Sequence, residues 1–158
     1  MQPIDEAVFK LAMSHFASGV TVVTTAHDGT RYGMTVASFA SLSLHPPLVV
    51  VCIECGVKTH DAIEAAGKFG VSILSAEQAE ISGRFASKKV EDRFAGVSVR
   101  DGELGVPLID GAICMLECRV HSRLPGGDHT IFVGEVVGAH TSEAAPLLYF
   151  RSGYHKLA

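Results

Sequence analysis

A turn that leads directly into an apolar segment constrains the fold of this chain most. The turn, residues 125–128, reads Pro-Gly-Gly-Asp, and β-branched residues follow at Ile131, Val133 and Val136. Glycine and aspartate favour tight turns, and apolar alternation with period two predicts a strand. His129 stands where the turn becomes the strand, so its side chain projects from a rigid element beside a loop, where sites are often built. For this peptide alone, a surface histidine without a function is the alternative.

The remaining segments predict a mainly β protein. Segments 20–25 and 31–39 flank Asp28-Gly29, a strong tight-turn signal, and should form a hairpin. Segment 48–53 is continuously apolar, as expected for a strand buried on both faces. Further strands are predicted at 69–73, 112–124, 129–140 and 146–150, and a loop at 107–111.

Three short helices are predicted by their end signals. The first is capped by Asp5 and ends at Gly19, and the second is capped by Thr59 and ends at Gly67. The third begins with the capping-box sequence of residues 75–78 and ends near Ser87. Strands and helices together predict a closed or partly closed antiparallel barrel that carries helices at its openings.

Size and composition limit the classes of protein to consider. The chain has 158 residues, which suits one domain spanning 1–158, and it is 47% hydrophobic with a formal net charge of −4. No basic run stands out, which argues against nucleic acid as a partner. No apolar run approaches the ~18 residues of a membrane span, and the first ten residues lack an apolar signal core. A cytoplasmic protein without a membrane partner is expected.

The four cysteines stand at positions 52, 55, 114 and 118. A disulfide framework is not expected in a cytosolic chain. The first pair has the two-residue spacing of a zinc site and the second pair does not, so the usual ligand pattern is only half present. We expect no metal site.

Two segments suggest a place for a polar ligand. Residues 33–41 are rich in small and hydroxyl side chains, which would leave the backbone open to a flat polar ligand. Lys58 and Thr59 stand at a predicted helix N-terminus, which can hold a phosphate. An ordinary strand and simple helix capping are the alternatives. No GxGxxG follows a strand, so a dinucleotide-binding Rossmann domain is not indicated.

In their order and spacing, six segments of the chain are similar to one known family. They are residues 16–25, 33–39, 43–49, 84–86, 127–136 and 147–150. With them the chain resembles the short-chain flavin reductases, the small components of two-component flavin-dependent monooxygenases. The resemblance implies an antiparallel split β-barrel that works as a homodimer. It also implies that NADH or NADPH reduces FMN or FAD and that the reduced flavin leaves to serve a partner monooxygenase.

The resemblance also implies roles for individual residues. The flavin ring should be lined by Thr35, Val36, Ala37 and Ser38, with Ser41 also in the cofactor site. Cys52, Ile53 and Glu54 should pass beneath the ring or the ribityl chain. The phosphate end should be surrounded by Lys58, Thr59, Arg84 and Phe85. His129 should contact the nicotinamide nucleotide as the catalytic residue, with Tyr154 and His155 near it. Many relatives carry Asn in place of Ala37, so the choice between FMN and FAD stays open.

The chemistry of hydride transfer is compatible with these residues. The cofactors carry the reaction, and the protein must place the nicotinamide C4 against the flavin N5 at about 3–3.5 Å. Two alternatives remain: a flavin-binding or redox-sensing module without turnover, and an enzyme that oxidises a pyridoxamine-type amine.

Overall fold

The computed structural model describes all 158 residues, which form three helices and twelve strands. The helices are α1 (Glu6–Met13), α2 (Lys58–Ala66) and α3 (Ala79–Ala86). The strands are β1 (Ser18–Gly19), β2 (Thr21–His27), β3 (Thr30–Val36), β4 (Phe39–Leu44), β5 (Pro47–Glu54), β6 (Lys68–Ile73), β7 (Val99–Asp101), β8 (Pro107–Ile109), β9 (Cys114–Gly126), β10 (His129–Thr141), β11 (Leu148–Phe150) and β12 (Gly153–His155). The prediction of a mainly β chain with three short helices is confirmed.

Seven strands form one antiparallel sheet in the order β3-β2-β6-β9-β10-β5-β4. Val36 of the edge strand β3 packs in the same core cluster as Val51 of β5 and Phe132 of β10, so the sheet curls back on itself. No ladder of hydrogen bonds joins β3 to β4, and the barrel is therefore split. Ile63 of α2 belongs to this core, which places α2 across one end of the barrel.

Two tight turns set the register of the long hairpins. Asp28 and Gly29 both have positive φ, 47° and 74°, as the predicted two-residue turn between β2 and β3 requires. Gly127 has φ 68° at the first position of the Gly127-Asp128 loop between β9 and β10. The register of β10 on β5 then places His129 opposite Glu54.

The structure corrects four predictions about strands. Segment 31–39 is not one strand, because Ser38 leaves β3 and bonds to Cys52 of β5, and a new strand, β4, begins at Phe39. Strand β5 alternates between buried and partly exposed residues, because only its inner face meets the barrel core. Strands β2 and β6 are the ones buried on both faces, and β2 lies between the barrel core and α3. The predicted loop at 107–111 contains β8, paired with β7, and the last strand is shorter than predicted and is followed by β12.

The helix ends are partly as predicted. Asp5 caps α1 through the Ala7 N–H, and Gly67 ends α2 in the left-handed conformation. However, α1 ends at Met13 rather than Gly19, because Gly19 pairs with β11. The residue that caps α2 is Val57, so Thr59 lies inside the first turn.

The third helix begins later than predicted, at Ala79. The Ser75 N–H donates to Gln78 Oε1 at 3.0 Å, and the Gln78 N–H donates to the Ser75 carbonyl at 2.9 Å. These two bonds close a separate turn over residues 75–78. Only one bond of a capping box is present, the one from the Ser75 N–H to the Gln78 side chain; the Ser75 hydroxyl does not bond the Gln78 N–H.

Large apolar side chains are exposed on helix α1 and on the edge strand β4. Helix α1 has no buried residue, and its Phe9 and Leu11 are 52% and 64% exposed. On β4, Leu42 and Leu44 are 54% and 82% exposed. Exposed large apolar side chains grouped on one element are candidates for protein–protein contacts. None of the three helices has the length and apolarity that crossing a membrane requires.

Candidate active site

A cavity of about 610 Å³ lies between β3, the junction of β5 with α2, and the segment that follows α3. Five of the residues predicted to bind the cofactor line it: Thr35, Glu54, Lys58, Thr59 and Phe85. The structure thus brings together residues that lie up to 50 positions apart in the chain.

The other predicted residues lie beside the cavity rather than in its walls. Val36 and Ile53 point into the barrel core at 4% and 0% exposure, so only their backbone is available to a ligand. Ala37, Ser38 and Ser41 are exposed where β3 gives way to β4. The Ser38 hydroxyl donates to the Cys52 carbonyl at 2.9 Å, and the Cys52 N–H donates to the Ser38 carbonyl at 3.2 Å. The small-residue segment is thereby held against β5 with its outer side open.

One wall of the cavity is the N-terminus of α2. Its capping residue, Val57, provides no side-chain hydrogen bond, so the first N–H groups of the helix lack a side-chain acceptor. The helix dipole places partial positive charge there, and the ammonium of Lys58 adds a full charge beside it. Thr59 is 4% exposed and reaches the same wall. This terminus suits an anion such as a phosphate.

The opposite wall is the segment 88–94, which two arginines hold in place. The Arg93 guanidinium donates to the Gly33 carbonyl at 2.8 Å and to the Ser87 carbonyl at 3.0 Å, and burial lowers the pKa of Arg93. Arg84 donates through Nε to the Arg93 carbonyl at 2.8 Å and through Nη2 to the Asp92 carbonyl at 2.7 Å. Arg84 therefore holds the wall from behind and does not line the cavity. A polar run such as 88–93 would be expected to face solvent, but the Arg93 guanidinium is bound to backbone carbonyls.

Aromatic packing fixes this wall against β3. The rings of Phe85 and Phe94 meet edge to face, with centroids 5.0 Å apart. A Cβ on Gly33 would lie 2.8 Å from Phe85 Cε1 and 3.1 Å from Phe94 Cζ, so only glycine allows this approach. The glycine at position 33 is thus required by the packing of the cavity wall.

The cations of the cavity are not equally available to a ligand. Arg31 donates to both carboxylate oxygens of Asp101 at 3.0 Å, and Arg93 is bound to backbone carbonyls. Lys58 and Lys88 take part in none of the ion pairs of the chain. Sequence reasoning missed Lys88, since a lone lysine after a helix carries no signal of what it faces.

His129 does not line the cavity; it pairs across the sheet with Glu54, which does. Its side chain is 40% exposed, and its Nδ1 lies 2.7 Å from Asp128 Oδ1. The hydrogen bond from His129 and its charge lower the pKa of Asp128. The Cys55 N–H donates to the Asp128 carbonyl at 2.9 Å, which ties the turn to the loop before α2.

Tyr154 and His155 approach from the side of α3. The Tyr154 hydroxyl lies 2.8 Å from Ser82 Oγ, and the Ser82 carbonyl accepts a hydrogen bond from Thr35 at 2.6 Å. His155 Nε2 donates to the Phe150 carbonyl at 3.2 Å. Tyr154 is therefore linked to Thr35 of β3 through Ser82, whereas His129 lies on β10, which pairs with β5.

The chain offers no clustered metal ligands, since no group of three or more His, Cys, Asp or Glu side chains could hold an ion. All four cysteines are free thiols, and Cys55 is exposed. Burial, and secondarily the charge of Glu117, raises the pKa of Cys118 to about 12.

These features fit a nucleotide with a flat ring and an anionic end. The helix N-terminus and Lys58 suit the anionic end, and the exposed residues Ala37 and Ser38 leave room for a ring edge. No nucleophile–base pair is needed for that task.

Comparisons with known proteins agree with the geometry. The family described as the flavin reductase like domain matches residues 13–158. The reductase component of 4-nitrophenol 4-monooxygenase/4-nitrocatechol 2-monooxygenase from Rhodococcus opacus is 44% identical over 154 residues, 98% of this chain and 82% of that protein. The reductase component of 4-hydroxyphenylacetate 3-monooxygenase from Thermus thermophilus is 41% identical over 150 residues, 94% of this chain and 95% of that protein.

A solved structure shares the whole fold. The NADH:FAD oxidoreductase of Streptomyces globisporus C-1027 superposes with a TM-score of 0.93 at 37% identity, over 100% of this chain and 96% of that chain. The same oxidoreductase has been solved in complex with NAD and FAD fragments. By family match, by identity and by fold, the chain described here belongs to the flavin reductase-like family.

Proposed function

We propose that this chain is an NADH-dependent flavin reductase, the reductase component of a two-component flavin-dependent monooxygenase. The observation that carries the proposal is the cavity that joins the N-terminus of α2, which has no side-chain cap, and Lys58 to the small-residue strand β3. His129 pairs with Glu54, which lines the same cavity. Relatives at 41–44% identity are reductase components of such monooxygenases. The oxygenase partner receives the reduced flavin.

When both nucleotides are bound, NADH supplies a hydride and the flavin accepts it, so that NADH is oxidised to NAD⁺ and the flavin gains two electrons. The chain's own residues bind and orient. The N–H groups of the first turn of α2 and Lys58 hold the flavin phosphate from one wall, and Lys88 approaches from the other. The exposed backbone at Ala37 and Ser38 contacts the ring edge. His129 orients the nicotinamide nucleotide, because hydride transfer depends on placement more than on proton traffic.

FAD is the proposed flavin. The two unpaired lysines face a cavity of about 610 Å³, which offers room and charge for more than one phosphate. The NADH:FAD oxidoreductase of Streptomyces globisporus C-1027, named for its use of FAD, aligns with 100% of this chain.

A homodimer is proposed as the working form. Helix α1 and the edge strand β4 present the exposed apolar side chains described above, and a second copy of the chain offers the same surfaces in return. Sedimentation velocity at micromolar concentration should show a dimer, and replacing Leu44 by Glu should shift it toward monomer. A wild-type chain that sediments as a monomer would reject this assembly.

The function is tested by oxidation of NADH with FAD and FMN side by side, and with NADPH in place of NADH. Turnover that requires added flavin is expected, with the lower KM for FAD and for NADH. Tightly retained flavin without turnover would instead identify a non-catalytic flavin module. Oxidation of pyridoxamine phosphate without NADH dependence would identify an amine oxidase.

A further inference from the structure

His60 of α2 forms a hydrogen bond to Thr130, the residue that follows His129 on β10. The His60 side chain, in the first turn of α2, is 12% exposed. Its Nε2 lies 2.9 Å from Thr130 Oγ1 and its Nδ1 lies 3.0 Å from Asp61 Oδ1. Thr130 Oγ1 also lies 3.6 Å from Cys55 Sγ. Both ring nitrogens of His60 are therefore engaged.

The direction of each side chain along β10 follows from its pairing with β5. Thr130 is opposite Ile53, and Phe132 is opposite Val51; both partners are fully buried, so Thr130 and Phe132 face the barrel core. The ring of His60 meets Phe132 edge-on with centroids 5.4 Å apart. Because successive residues alternate between faces, His129 projects from the other face of the same strand.

His129 has little to hold it from its own side. Its hydrogen-bond partner is Asp128, whose side chain is 90% exposed at the tip of the turn. The position of the His129 ring therefore depends on where the backbone of the turn lies. Strand β10 is held by its pairing with β5 and β9. Beyond those ladders, two bonds tie the turn to the segment that leads into α2 and to α2 itself: the Cys55 N–H to the Asp128 carbonyl, and the bond between the His60 and Thr130 side chains.

We propose that His60 is a positioning residue for the reductant: its bond to Thr130 fixes the turn that carries His129 relative to the N-terminus of α2. The inference rests on the proposed role of His129 in binding the nicotinamide nucleotide. Lys58 and Thr59, on the same helical turn as His60, line the flavin cavity. One short helix thus locates both nucleotides, and hydride transfer requires their relative placement to be held closely.

Two variants break the bond in different ways. Thr130→Val keeps the shape of the side chain and removes the hydroxyl, and His60→Phe keeps a ring against Phe132 and removes both nitrogens. Each is expected to raise the KM for NADH and the Kd for NAD⁺ by about 2- to 12-fold, the effect of one neutral hydrogen bond. The Kd for flavin should stay within a factor of two. Together the two changes should have no more effect than either one, because they remove the same bond.

A conservative variant and a matched control separate positioning from simple loss of stability. His60→Gln retains a group that can bond Thr130 and should recover much of the affinity for NAD⁺. Thr141→Val changes the same residue type at the far end of β10 and should leave both affinities unchanged. Melting temperatures and NAD⁺ titrations by calorimetry are recorded for every variant, so that binding is measured apart from turnover.

The outcomes distinguish this inference from the function on which it rests. If His129→Ala weakens NAD⁺ binding but Thr130→Val and His60→Phe lower only the melting temperature, the positioning role of His60 is rejected and the role of His129 stands. If His129→Ala itself leaves NAD⁺ binding unchanged, both ideas fail.

Discussion

Arg84 offers the sharpest test of how the cavity is built, because sequence and structure assign it different tasks. The family resemblance places it at the flavin phosphate, whereas the structure uses its Nε and Nη2 to hold the carbonyls of Arg93 and Asp92. Replacement by lysine separates the two, since it keeps the positive charge but cannot make the forked pair of bonds.

The expected magnitude follows from the bonds that are lost. A hydrogen bond from a charged donor contributes about 1.5–3 kcal/mol, and lysine can replace at most one of the two. Because Arg84 is half-buried, the lower end applies, roughly 1.5 kcal/mol. If that energy orders the 88–94 wall in the free protein, Arg84→Lys should weaken flavin binding by about tenfold, through disorder of the wall rather than loss of charge.

The assay combines flavin titration at several salt concentrations with amide hydrogen exchange of residues 87–94. Arg84→Lys should raise the flavin Kd, leave its salt dependence unchanged, and speed exchange of the wall without flavin. Lys88→Met is the matched control: it removes a charge that faces the cavity and should reduce the salt dependence while exchange stays slow. Wild-type flavin affinity in Arg84→Lys, together with lost affinity and reduced salt dependence in Arg84→Ala, would show that Arg84 touches the phosphate and would refute this reasoning.

Three further predictions concern the barrel and its thiols. Gly134→Ala should lower the unfolding free energy measured in urea by about 1–3 kcal/mol, because the new Cβ would lie 2.4 Å from Phe69 Cζ. Gly83→Ala is the control: nothing lies within 4 Å of its new Cβ, so it should stabilise α3. Equal changes in unfolding free energy for the two variants would contradict this prediction. The pKa of Cys118 is raised from 9.0 to about 12, so the folded state binds this proton more tightly than the unfolded state. The difference in unfolding free energy between the wild type and Cys118→Ala should therefore be constant below pH 9.0. As the pH rises toward 12, the wild type should lose at most about 1.4 kcal/mol per pH unit relative to the variant. Unfolding free energies that change in parallel with pH for the two proteins would reject this prediction. A maleimide at neutral pH should label exposed Cys55 in the native protein and spare Cys118 until unfolding, as peptide mapping would reveal.

Local chemistry alone predicted the elements whose signals lie within a few residues. Asp28-Gly29 predicted a hairpin and the 125–128 segment a turn before a strand, because few residues tolerate the positive φ that Asp28, Gly29 and Gly127 adopt there. Two helix ends were predicted from single capping residues. Asp5 accepts the Ala7 N–H at the start of α1, and Gly67 ends α2 in the left-handed conformation. The mainly β class and the three helices could be inferred from such local signals together with the apolar periodicity. The family was inferred from the order and spacing of the six segments that resemble it.

Tertiary structure decided which side chains meet, because pairings between distant segments depend on the register and curvature of the sheet. A new strand begins at Phe39, where Ser38 bonds Cys52 and the following residues pair with β5. Arg84 turns away from the cavity because the carbonyls of the 88–94 wall lie within its reach. The link from His60 to Thr130 joins residues 70 positions apart, and no local pattern of hydrophobicity or propensity encodes such a bond.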